Sequence, residues 1–178
     1  MSSAPVTAKP SAAFSAFLQI DGVPGESLDD KHKDWVELLS YGHQMTQPVS
    51  STRSSAGGAA TGRTQHGDFA VTKFVDKASP KLYEAVSNGK HFSKAKIEVC
   101  RAGGTQVKFL DITLEEVMIS NVHVNSSGQQ NSDGDVLPTE TIHLNYGKIE
   151  WTYTQQKRKD GSGGGNVTAK HDLTTGKS

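Results

Sequence analysis

Residues 94–99 alternate without a break, with Lys94, Lys96 and Glu98 pointing one way and Ala95, Ile97 and Val99 the other. A period of two belongs to a strand with one wet and one dry face, not to a helix. The residues Arg101-Ala102-Gly103-Gly104-Thr105 then predict a hairpin turn into residues 106–124. The same pattern recurs elsewhere. Residues 14–20 read as a first strand, closed by Asp21-Gly22 and Pro24-Gly25; residues 35–45 read as a second, and 68–76 as a third through Phe69, Val71 and Val75.

Two segments change phase. In 140–154, Ile142, Leu144 and Tyr146 share one parity while Ile149, Trp151 and Tyr153 share the other. One extra residue reconciles them, which predicts a β-bulge near Gly147-Lys148. Residues 106–119 switch phase twice. Strands that bend in this way suit a barrel or a strongly curled sheet. One helix interrupts them, over about 79–89: Ser79 is a candidate N-cap, Pro80 suits the first helical position, and Asn88-Gly89 supplies a left-handed stop. Leu82, Val86 and Tyr83 give it a buried stripe. The expected fold is mainly β, barrel-like curled antiparallel sheets with this one short helix packed against them.

Composition sets the domain limits. Residues 1–13, 46–65 and 157–178 are rich in Ser, Gly, Thr and Pro, and bury too little apolar surface to offset backbone entropy. The expectation is a disordered N-terminal extension over 1–13, a single β-barrel domain over 14–156 with an extended arm at 46–65, and a flexible Gly-rich tail over 157–178. Nineteen basic residues balance nineteen acidic ones, so the formal charge is zero. Nucleic-acid binders rest on clustered excess Lys and Arg, so that class is set aside. Zero net charge also leaves little repulsion against self-association. The single Cys100 excludes an intrachain disulfide and reads as a small, partly buried strand residue. Residues 1–13 lack a basic start followed by an apolar run, and Ala16-Phe17-Leu18 is too short for a membrane span. The expectation is a soluble cytoplasmic protein that makes no membrane contact and leaves the cell without a cleavable signal.

The search for chemistry comes up empty. Seven histidines (His32, His43, His66, His91, His123, His143 and His171) show no ligand spacing, although His123 and His143 lie on strands that can meet. The run from Gln129 through Asn131 and Asp133-Gly134 to Glu140 mirrors a calcium-loop spacing, but Gln129 stands where a carboxylate is needed and the flanks read as strands. The glycines at 161–165 lack the Gly-Lys-Ser/Thr of a phosphate loop. The pairs Asp29-Asp30 and Glu115-Glu116 are adjacent, and adjacent strand residues face opposite ways. No catalytic, cofactor-binding or metal-ligating residue is assigned, and the chain reads as a non-enzyme with no cofactor.

The informative stretch is 69–82, in which Thr72-Lys73 and Asp76-Lys77 end a strand and Ser79-Pro80 opens the helix, followed by Gly89-Lys90-His91. With the first strand and Gly25-Glu26-Ser27, and with the turn at 101–104, this ordered set resembles the haemolysin-coregulated proteins of bacterial type VI secretion over residues 14–154. The resemblance implies a six-membered ring with a central hole. Rings stack into a tube inside a contractile sheath, and effectors ride in the lumen. Its implied partners are copies of itself, the sheath, spike and baseplate proteins, and those effectors; its implied location is the bacterial cytoplasm and then the outside. The arm corresponds to the family's intersubunit arm, with Gln47, Pro48, Val49, Arg53, Ser54 and Arg63 as interface residues. If the second strand lines the hole, alternation puts Ser40, Gly42 and Gln44 on the wet face, although Val36 and Leu38 share that parity. The alternative is a monomeric β-sandwich that binds carbohydrate or protein. Such a module predicts aromatics on loops, whereas Trp35, Trp151 and Tyr153 fall within predicted strands.

Overall fold

A computed structural model describes residues 14–48, 63–101, 106–156 and 163–177. The elements run β1 (Phe14–Ile20), β2 (Val36–Leu38), β3 (Ser40–Gly42), β4 (Met45–Thr46), β5 (Gln65–His66), β6 (Phe69–Phe74), α1 (Ser79–Asn88), β7 (His91–Arg101), β8 (Val107–Gln130), β9 (Val136–Asn145), β10 (Lys148–Gln156) and β11 (Gly163–Asp172). Nine strands form one antiparallel sheet ordered β2-β1-β7-β8-β9-β6-β3, with β10 and β11 branching from β8, while β4 and β5 pair apart. The fold is mainly β with one helix among the described residues, as the alternation predicts.

Strand β8 is the fork. Its first half pairs with β7 and β10, and residues 118–130 pair with β9. A six-strand region, β2-β1-β7-β8-β10-β11, therefore continues into a four-strand region, β8-β9-β6-β3. The sheet curls but does not close into a barrel. Its two end strands, β2 and β3, are separated in sequence by Leu39, whose N–H donates to Thr72 O at 2.8 Å. The edges meet through the chain itself rather than through a ladder.

Period-two patterning explains the core. Val36, Leu18, Ile97, Ile112 and Trp151 stand in one cross-strand row. Phe69, Leu144 and Ile119 form a matching row in the four-strand region. All but Trp151 are buried. Each such aliphatic or aromatic side chain contributes about 1.5–3 kcal/mol on burial.

The phase switches mark the places where the chain changes region. In β8, Glu116 takes a left-handed φ of 56°, and Met118 pairs with both His91 and Asn145. The expected bulge near Gly147-Lys148 is instead a break between two strands, since β9 ends at Asn145 and β10 starts at Lys148. Gly147 donates its N–H to Glu115 O at 2.9 Å. A Cβ there would sit 2.5 Å from Glu116 Oε2 and 3.1 Å from Glu116 Cβ, so the joint admits only glycine without a shift. The segment 35–45 also breaks, at Leu39. Val36 and Leu38 face the core, and beyond Leu39 the inward parity passes to Tyr41, leaving Ser40 and Gly42 exposed.

Helix α1 ends as expected, on Gly89 at φ 62°. Its N-cap is Ala78 rather than Ser79 and makes no side-chain capping bond. Asp76 Oδ1 accepts the Ala78 N–H at 2.9 Å, which leaves the Ser79 hydroxyl for other work. The tail departs most from the sequence reading: residues 163–172 are not a flexible tail but strand β11, in register on β10 from Lys148–Asp172 to Tyr153–Val167. Leu173 anchors its end, donating its N–H to Gly147 O at 2.9 Å and packing against the core. The short Val167–His171 alternation was masked by the glycines before it. The N-terminal extension at 1–13 and most of the arm lie outside the described residues.

Candidate interaction surface

The motif residues that carry the sequence resemblance turn inward. Lys73 and Glu140 stand directly opposite each other on β6 and β9, at core-facing positions, and are 0% and 1% exposed. Lys73 Nζ lies 2.7 Å from Glu140 Oε1 and 2.8 Å from Asp76 Oδ1, and donates to Phe74 O at 2.7 Å. Ser79 Oγ donates to Glu140 Oε1 at 2.8 Å, and Tyr83 OH donates to Glu140 Oε2. Burial, and then the bond to Glu140, pushes the Tyr83 hydroxyl up to about 12. Three-residue spacing brings Lys73, Asp76 and Ser79 to one point, where a single carboxylate joins the strand end and helix start to β9. Sequence reasoning missed this network. Its signal was a charge at core parity in both strands: Lys73 in step with Phe69 and Val71, Glu140 in step with Ile142 and Leu144. Glu140, the last position of the calcium-like spacing, is thus committed to Lys73. Asn131 Oδ1 instead accepts the N–H groups of Asp133 and Asp135 in the β8–β9 turn.

The two regions show solvent quite different faces. Across the six-strand region the outward rows read Lys94–Glu115–Lys148–Asp172 and Lys96–Thr113–Glu150–Lys170. The next row, Glu98–Asp111–Thr152–Thr168, sets two carboxylates opposite each other, and Lys96 and Lys108 bridge both at 2.6 to 3.3 Å. His32 joins them from the 21–35 loop, with Nδ1 2.6 Å from Asp29 and Nε2 2.9 Å from Glu98 while its ring stacks on Phe17. Burial works to raise Glu98, but hydrogen bonds from Lys96, His32 and Lys108 outweigh it and hold the carboxyl at about 2.

Across the four-strand region the outward rows are Gly42–Ala70–His143–Asn121 and Ser40–Thr72–Thr141–His123. These eight residues carry no Lys, Arg, Asp or Glu. Thr72 and Thr141 hydroxyls lie 3.2 Å apart. His123 and His143 do share this face, as diagonal neighbours. Of the residues singled out as wet in the sequence, Ser40 and Gly42 lie on it, and Gln44 follows in the link to β4, where its carbonyl accepts the Gly67 N–H at 2.8 Å.

The arm's base is a two-residue ladder, Met45–His66 and Thr46–Gln65. Gln47, Pro48 and Arg63 are exposed beside it, while Val49, Arg53 and Ser54 lie outside the described residues. Thr64 Oγ1 donates to Gln47 Oε1, and Arg63 Nη2 donates to Leu173 O. The base therefore rests on the end of β11.

Comparison with known proteins agrees with this geometry. The family model described as "Type VI secretion system effector, Hcp" matches residues 17–153. "Protein hcp1" of Pseudomonas aeruginosa is 36% identical over 156 residues, covering 87% of this chain and 92% of its own. "Major exported protein" of the same organism is 30% identical over 132 residues, covering 72% and 74%. A solved "type six secretion system protein" superposes with a TM-score of 0.83 at 31% identity, covering 93% of this chain and 99% of its own. Hcp1 from Salmonella typhimurium gives 0.73 at 26% identity over 93% and 99%. With the match spanning most of the sheet, the helix and the motif residues that meet at Glu140, this chain belongs to the Hcp family of type VI secretion proteins.

Proposed function

We propose that this chain is a structural subunit of a type VI secretion tube. It closes into a six-membered ring, rings stack within a contractile sheath on a spike-bearing baseplate, and the tube leaves the bacterial cytoplasm carrying effectors in its lumen. No catalytic step belongs to this reading.

The observation that carries it, beside family membership, is a pair of unlike edges on the four-strand region. Among the described residues, β3 pairs in the sheet with β6 alone, and residues 119–130 of β8 pair with β9 alone. The β8 edge from Ser120 to Gln130 contains no Lys, Arg, Asp, Glu or Pro, the residues that usually blunt an exposed strand. Two different edges on one subunit favour a head-to-tail contact, which closes into a ring when the rotation allows. The uncharged face between those edges supports the lumen reading, with Ser40 and Gly42 on the wall and Gln44 at its rim. Gln47, Pro48 and Arg63 stand where the arm leaves the body, which suits an arm that reaches a neighbouring subunit.

Electron microscopy of the purified protein, classified for symmetry, tests this. Six-fold rings with a stained central hole are expected, and Val124→Lys on the bare edge is expected to leave folded monomers. Deleting Ser50–Thr61 is expected to keep the fold but weaken ring closure or stacking. Compact particles without a hole would instead favour a monomeric binding module.

A further inference from the structure

Three histidines from distant parts of the chain meet where the arm leaves the body. His43 follows β3, His66 lies in β5 and His171 lies in β11. The His66 and His171 rings stack with centroids 5.0 Å apart, and His43 and His66 are 5.8 Å apart. Tyr146 OH lies 2.5 Å from His43 Nε2 and 3.1 Å from His66 Nδ1. Trp151 backs both rings at 6.3 and 6.4 Å. We propose that His43, His66 and His171 form an acid-sensitive latch that holds the arm's base against the C-terminal strand and opens on acidification. The consequence for assembly rests on the reading of the arm as an intersubunit element.

The electrical setting supports a latch that is shut when neutral. Burial, and then the neighbouring His66, holds His43 below its ordinary 6.5; burial, and then His171, holds His66 below the same value. The other groups around the site give cations little compensation. Tyr146 comes from the β9–β10 joint and is itself held protonated by burial and by Asp68. Asp68 accepts hydrogen bonds from Ser120 and Asn145. From β11, Asp172 alternates to the opposite face of the strand and accepts from Thr174 and Thr175. From the arm, Arg63 adds another positive charge at Leu173 O. His32 is the counter-example within the same chain, since its two ring nitrogens face Asp29 and Glu98, so charging that ring adds attraction.

The sign follows from linkage. The opened arm lets His43 and His66 take up protons near 6.5, and the closed one holds them lower. Closure is therefore complete above that pH and is lost as pH falls through the lowered values. Two imidazolium rings within 6 Å in a half-buried site add repulsion to the cost of burying each charge.

Hydrogen exchange on the full chain at pH 7.5 and 5.5, corrected for intrinsic rates, reads the latch directly. Exchange in 43–48, 63–67 and 163–173 is expected to rise roughly tenfold in acid while β7 stays protected. The double variant His66→Gln, His171→Gln cannot charge and is expected to lose most of that rise; His66→Lys, charged throughout, is expected to be open already at pH 7.5. Unchanged exchange in the wild type, or a closed His66→Lys, overturns the latch. Ring mass by light scattering separates the two ideas: a base that opens in acid without loss of rings keeps the latch and overturns the arm's role in assembly.

Discussion

The two regions of the curled sheet place their charges on opposite sides. The six-strand region carries Lys, Glu and Asp on its solvent face and keeps an apolar interior. The four-strand region keeps its solvent face free of charge and puts an ion pair inside, Lys73 against Glu140. A charged outer face fixes which side of a strand is wet. An uncharged one leaves that choice weakly specified, and a one-residue slip of β6 on β9 would exchange its faces. The pair at Lys73 and Glu140 supplies the missing register, because a slip strands both charges without partners. The lesson is that a surface kept bare for contact needs its polar specification elsewhere.

That contrast can be broken most severely from the inside. Glu140→Ala leaves Lys73 buried with Asp76 as its remaining carboxylate, and is expected to cost about 3–5 kcal/mol in denaturant unfolding. Replacing the pair together, Lys73→Met with Glu140→Leu, is expected to recover most of it while loosening β6–β9 register; a single variant as stable as wild type would remove the pair from this role.

At the joint between the regions, Gly147→Ala pushes against Glu116 and is expected to cost about 1–3 kcal/mol. Adding Glu116→Gly opens the space and relieves the φ of 56°, so the double variant should recover the loss. Failure of that rescue would mean that the joint resists for another reason.

On the charged face, Glu98 is the sensitive group. Its carboxyl is held at about 2 against an ordinary 4.5, so its contribution is present in full above 4.5 and is lost as pH falls through 2. After allowance for solvent screening this amounts to about 1 kcal/mol. Comparing wild type with Glu98→Gln across that range should show the wild type losing more stability; parallel curves would count against the cluster. The smallest effect belongs to Lys148→Ala, whose partner Glu116 is exposed at 3.3 Å, with less than about 0.5 kcal/mol expected in thermal melts.

Alternation made the strands legible, because period two survives any tertiary arrangement. The phase switches were equally visible, but the same two-residue discrepancy describes a bulge or a change of sheet, and only the position of Glu115 and Glu116 beside Gly147 decides between them. Strand β11 was not legible, since its partner β10 supplies the pairing that its glycines do not advertise. Of the interaction surface, Ser40 and Gly42 could be named, but their parity conflict with Val36 and Leu38 resolves only once the chain crosses at Leu39. The histidine cluster left no local trace, as its members come from residues 43, 66 and 171.

That crossing has a mechanical side. Residues 36–42 are hydrogen-bonded to β1 at one end and to β6 at the other, so one short stretch of backbone stitches the two edges of the curl. Tension arriving through the arm, which follows directly after His43, is divided between both ladders in shear instead of peeling either one from its edge. A subunit threaded in this way resists being pulled apart along the direction in which a driven tube would drag it.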